Sequence, residues 1–230
     1  MPKPKKIISR SQDLRSQLNE TLISVFRLEK RDYFQDLSFT QLLKLKQGLA
    51  RIHDTVTLRL TFDLVDWIAA KFNFTSDQKA ALWKQVDDQS ANSSGFDLRW
   101  NEPQIIAEVK GCIPVNGGHV FGAAQVKGLT NDVLQMFGLP ARGKTKEQLS
   151  PRSKVHHPTN AKAIKLLALY DSPEVRKATA HWKQNLENQT WFKALTPPCS
   201  IQDAPENGQP NDPTKVYLIY LSLSREALQP

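Results

Sequence analysis

Over the first ninety positions, apolar residues recur at spacings of three and four. Leu14, Leu18, Leu22 and Val25 paint one face of a helix. Ser38, followed three residues later by Gln41, has the form of a capping box. It opens a second helix expected to bury Leu42, Leu45, Leu49 and Ile52. Residues 55–72 are β-branched at their start and then set Leu60, Leu64, Trp67 and Ile68 at helical spacing, which predicts a third helix. Thr75 with Gln78 predicts another capped start, running through Leu82 and Val86.

A polar run over 87–95 breaks this pattern and reads as a loop. Beyond it the period shortens. Residues 96–100 form a short strand candidate, Asn101-Glu102-Pro103-Gln104 a turn, and 105–111 a compact apolar strand. Residues 123–137 predict a helix closed by Gly138 and Pro140. The apolar stretch 163–170 suits helix or buried strand, but Ser172-Pro173-Glu174 supplies an N-cap, a proline at the first helical position and an acid in the first turn. A helix must therefore start at Pro173, which makes 163–170 a strand. Residues 196–214, with five prolines, read as a loop, and 216–223 as the last strand. Strand, strand, helix, strand, helix, strand predicts an α/β sandwich around a mixed sheet. The texture divides the chain into a helical region, 1–90, and an α/β core, 91–230.

Side chains alternate across a strand, so Ile106, Glu108 and Lys110 share one face while Ile105, Ala107 and Val109 share the other. A strand apolar on both faces belongs inside a sheet, where a bare charge costs several kcal/mol unless paired or bound to a metal. Asp97 lies on the preceding strand candidate, and pairing through the turn brings it near Glu108. Two converging carboxylates suit Mg²⁺, a hard cation that keeps several waters and lowers the pKa of one. Lys110 would orient that water or stabilise developing charge. The alternative is a strand end emerging into water with a solvated Glu–Lys pair.

Composition narrows the partners. Of 230 residues 40% are hydrophobic, as in a globular domain, and 31 Lys and Arg oppose 23 acids for a net charge of +8. Such an excess favours polyanions. No apolar run approaches the ~18–20 residues of a membrane span. The basic N-terminus lacks the apolar stretch of a signal peptide. Two cysteines far apart, Cys112 and Cys199, argue against a disulfide framework or zinc site and for a reducing cytoplasm.

An Asp at one strand and Glu108-Val109-Lys110 on the next, within that element order, resembles the PD-(D/E)XK nuclease superfamily over residues 96 to about 223. Phe96 stands where the motif's name has Pro. Size, the helical N-terminal part and the basic loop look most like a type II restriction endonuclease. The resemblance implies a restriction-endonuclease-like α/β/α core and Mg²⁺-dependent, sequence-specific cleavage of double-stranded DNA by a homodimer. Asp97 and Glu108 would be metal ligands and Lys110 the catalytic lysine, with a cognate DNA methyltransferase acting on the same site. The helical region would serve dimerisation or DNA contact.

Further DNA-contact candidates are Asn116 and His119 in a glycine-containing loop, and Gln125 and Lys127 at the start of the next helix. Arg142, Lys144, Lys146, Arg152 and Lys154 form a basic loop that would clasp the duplex. Each has a plainer reading as an ordinary turn, a solvent-facing helix start or a solubilising loop. A repair nuclease or junction resolvase would keep the chemistry and change the substrate. A DNA-binding regulator would use the basic charge without cutting.

Overall fold

The computed structural model describes residues 10–89, 95–114, 118–140, 161–195 and 198–222. The chain divides into two compact units, 1–52 and 53–230.

In the smaller unit, α1 (Arg10–Phe26) is followed by the single-turn α2 (Tyr33–Asp36). Asn19 ties them: its amide donates to Asp32 at 2.8 Å, and its carbonyl oxygen accepts from the Tyr33 N–H at 2.9 Å. Arg15 pairs with the same Asp32.

The capping box at Ser38 is present, with Gln41 and Ser38 exchanging side-chain and backbone hydrogen bonds. The helix it opens does not stop near residue 52. It continues as α3 (Phe39–Lys71), one helix of 33 residues where the spacing suggested two. Nothing between 52 and 55 breaks it: Ile52-His53-Asp54-Thr55 carries neither Gly nor Pro. Nor is its first half buried as expected. Leu42 and Leu45 are half-buried, and Leu49 and Ile52 are more than half exposed. From Leu60 onward the helix has a sheet to cover, and there Leu60, Leu64, Val65 and Ile68 are sealed from solvent.

The larger unit is three-layered. Its five-stranded mixed sheet runs β1 (Leu98–Asn101), β2 (Gln104–Lys110), β3 (Ile164–Tyr170), β5 (Lys215–Leu221) and β4 (Ser200–Asp203). β1 is antiparallel to β2, and every other pair is parallel. One face packs Leu98, Ile105, Ala107, Val109, Leu166 and Ile219 against the second half of α3 and against α4 (Ser76–Asp87). The other packs Ile106, Leu167, Leu169 and Leu218 against α5 (Ala123–Met136) and α6 (Pro173–Glu187). Helices on both faces are the usual partners of a largely parallel sheet, and they explain why β2 and β3 are apolar on both sides.

Local signals set the boundaries. Thr75 and Gln78 form the capping box of α4. Ser172 accepts from the Val175 N–H and Pro173 opens α6, so residues 164–170 are the buried strand that this start demands. Gly138, at φ +71°, closes α5 with its own N–H on the Gln135 carbonyl and the Leu139 N–H on that of Leu134.

One expectation fails downstream. The proline-rich stretch 196–214 contains β4, a four-residue edge strand with Ile201 buried. So short a strand, with one core residue, leaves no period to read. The four-residue α7 (Thr190–Lys193) was invisible for the same reason. Neither cysteine is in a disulfide, and among the described residues no helix is long and apolar enough to cross a membrane.

Candidate active site

The β1–β2 hairpin turns over Glu102 and Pro103, with Asn101 opposite Gln104 and Leu98 opposite Ala107. One further step in that register sets Asp97 opposite Glu108, at the open end of the pair. The Asp97 carboxylate closes this end by accepting the Val109 N–H at 2.7 Å. That bond takes the place of a ladder bond and fixes where the carboxylate stands.

Glu108 is 1% exposed, on the face of β2 that looks toward α5 and α6. Two residues on, Lys110 reaches back along the same face, its ammonium 3.2 Å from Glu108 Oε2. A third carboxylate completes the group: Asp132 of α5 lies 2.9 Å from the Lys110 ammonium and is 8% exposed. Burial alone would push Lys110 down, but Glu108, Asp132 and Asp97 outweigh it and hold the ammonium above the ordinary lysine value. In this arrangement Lys110 carries a positive charge near neutral pH.

The sequence reading missed Asp132. A signal was present: it falls three residues after Leu129 and four before Met136, both buried, so it sits on the apolar stripe of α5. An acid on such a stripe must meet a cation or a donor. Asp132 meets Lys110.

Helix α5 is held firmly in front of the strand. The Gln125 side chain accepts from the Gly122 N–H at 2.9 Å and donates to the Ile113 carbonyl at 2.9 Å, clamping the loop after β2 to the helix start. Trp182 of α6 donates its indole N–H to Thr130 at 3.2 Å. Gly111, just past Lys110, leaves room for α3: a Cβ there would lie 3.1 Å from a Val56 methyl.

The other sequence candidates fall outside this cluster. His119 is exposed in a turn beside Gly118, whose φ of +80° suits glycine and where a Cβ would meet the Glu174 side chain at 2.9 Å. Gln125 spends its amide on its own loop, and Lys127 is exposed. Asn116 and the basic residues Arg142, Lys144, Lys146, Arg152 and Lys154 lie outside the described residues.

Among the described residues no three His, Cys, Asp or Glu side chains are grouped to hold a metal. What the hairpin offers is two carboxylates on adjacent chain segments, Glu108 on β2 and Asp97 one step beyond the paired register, its side chain on the Val109 N–H. An all-oxygen pair of this kind fits Mg²⁺, which fills the remainder of its shell with water and substrate oxygens. It does not fit a structural zinc, which wants four protein ligands. Compared with family models, curated proteins and solved structures, the chain matches none.

Proposed function

We propose that this chain is a Mg²⁺-dependent endonuclease of the PD-(D/E)XK plan, with a restriction-endonuclease-like core, that hydrolyses double-stranded DNA at a specific sequence. The observation that carries the reading is the meeting of Asp97, Glu108 and Lys110 at one end of the β1–β2 hairpin. A solvated surface pair would not combine a Glu108 that is 1% exposed with a lysine held among carboxylates.

Asp97 and Glu108 would hold the cation. When bound, it supplies charge stabilisation to the phosphate and acidifies a water. Lys110, kept as an ammonium, adds fixed positive charge beside the scissile phosphate, where negative charge grows in the transition state. The buried aliphatic floor of Ile106, Leu167 and Leu169 strengthens such electrostatics by limiting solvent on that side. The net charge of +8 draws the polyanion in, and the stretch from Arg142 to Lys154 concentrates Lys and Arg by sequence. As the resemblance implies, the enzyme would act as a homodimer, one site for each strand. A cognate methyltransferase acting on the same site would protect the host DNA.

The test is digestion of phage DNA with Mg²⁺ by the wild type, Asp97→Ala and Lys110→Ala. Discrete bands from the wild type and none from the variants are expected. Preference for branched substrates would reassign the enzyme as a resolvase. Binding without cutting would overturn the nuclease reading in favour of a DNA-binding regulator.

A further inference from the structure

Asp132 reaches the site from a helix, whereas Asp97 and Glu108 come from the hairpin. It is well placed and hard to move. Its Oδ2 is closer to the Lys110 ammonium, at 2.9 Å, than Glu108 Oε2 is, at 3.2 Å. The helix that carries it is clamped at its start by Gln125, tied at Thr130 to Trp182, and closed at its end by Gly138. Leu129, Val133 and Met136 around it are buried.

Two cations then contend for Glu108. If Glu108 is a ligand for a divalent cation, as the proposed function has it, the carboxylate cannot also remain the anchor of Lys110 at full strength. An ammonium left without a partner beside a dication would be driven away by like-charge repulsion, out of the place where it is useful. A second carboxylate that is not a ligand removes the conflict. We propose that Asp132 is a positioning residue that keeps the Lys110 ammonium in place when Glu108 turns to a divalent cation. Asp132 works through Lys110 and does not touch the metal.

The experiment is titration of the full chain with Mn²⁺ by calorimetry, without DNA, in wild type, Asp132→Asn, Lys110→Gln and the double variant. In Asp132→Asn, Lys110 falls back on Glu108 and competes with the ion, so Mn²⁺ binding weakens about tenfold, the usual size of an outer-shell effect. In the Lys110→Gln background the competitor is gone, and the same Asp132→Asn change costs less than about threefold, a non-additivity diagnostic of action through Lys110. Equal losses in both backgrounds would make Asp132 a ligand and overturn the proposal. Unchanged affinity in Asp132→Asn would reduce it to a packing residue and overturn it as well.

Should Lys110→Gln fail to fold, lysine ammonium NMR of the Mg²⁺-saturated protein decides. A slowly exchanging Lys110 signal is expected in wild type and lost in Asp132→Asn, and its persistence in the variant counts against the proposal. Because the readout is binding, a wild type that shows the Mn²⁺ pattern yet never cuts DNA refutes only the nuclease reading. A wild type that binds no Mn²⁺ removes the role proposed for Asp132.

Discussion

Lys110 and Lys165 sit on neighbouring strands and on the same face of the sheet, Lys165 opposite Ile106 near the start of β3 and Lys110 at the end of β2. Their surroundings pull them in opposite directions. Lys165 is 1% exposed, its ammonium donating to the Ala163 and Pro213 carbonyls at 2.9 and 2.6 Å and lying 5.1 Å from the Phe137 ring centre. Burial pushes it down to about 8, against weaker support from Cys199 and Asp212. Lys110 also feels burial, yet three carboxylates hold it above its ordinary value. Carbonyl dipoles and a ring face satisfy a buried lysine without keeping it firmly charged. Acids do both. The acids keep Lys110 charged across the neutral and alkaline range, while Lys165 on carbonyls gives up its proton at about 8, well below an ordinary lysine.

The largest effect on stability should come from removing Lys110. Lys110→Met takes from Glu108 and Asp132 the ammonium that both contact in a largely buried place, and breaking a buried pair from one side costs about 3 kcal/mol. Urea denaturation at pH 7 measures it. A loss under about 1 kcal/mol would mean that the carboxylates are better solvated than their exposure indicates.

Lys165 is expected to announce itself through pH. Its folded value of about 8 lies below the ordinary 10.5, so between those two values the unfolded chain carries a proton that the folded chain has released. Stability should therefore rise with pH across that window, by about 2 kcal/mol from pH 8 to pH 10. The rise should vanish in Lys165→Met. The wild-type-minus-variant difference is the quantity to plot, because Cys199 and Tyr220, pushed up by burial to about 11 and about 12, pull the other way at high pH. Lys110, whose value is raised, contributes no slope below its ordinary value of 10.5. A wild-type curve identical to that of Lys165→Met would erase the contrast between the two lysines.

The smallest effect belongs to Gln125. Gln125→Ala removes the clamp between the loop after β2 and the start of α5, with a cost of about 1 kcal/mol, as for other helix-start side chains. Because the clamp helps to set Asp132 against Lys110, Mn²⁺ affinity should fall with it, by less than in Asp132→Asn. Undiminished affinity would show that Trp182 and Thr130 suffice to hold the helix.

Much of this was legible in residue order. The parity of Glu108 and Lys110 follows from strand geometry, and the start at Ser172-Pro173 forces residues 164–170 into the sheet. The hairpin turn puts Asp97 opposite Glu108 by counting. Other features escaped for physical reasons. The change of texture near residue 90 marks where helices give way to strands, while the compact units divide at residue 52, inside a helix with no breaker. The exposed Leu49 and Ile52 obey the helical period as faithfully as the buried Leu60 and Leu64, since a stripe records which face is apolar and not what lies beneath it. Asp132 is separated from Lys110 by a loop and half a helix, and only packing brings the two within a hydrogen bond.

The central claim is that Asp97, Glu108 and Lys110 form a divalent-metal phosphodiesterase site. Relaxation of supercoiled plasmid, with Mg²⁺ and with EDTA, tests it most directly in wild type and in Glu108→Gln, a near-isosteric change checked for folding by circular dichroism. Nicked or linear product is expected from wild type with Mg²⁺ alone, and at least about 10²-fold less from Glu108→Gln, the scale on which removal of one electrostatic catalytic group acts. Cleavage that survives EDTA, or that Glu108→Gln performs as well as wild type, would contradict the account.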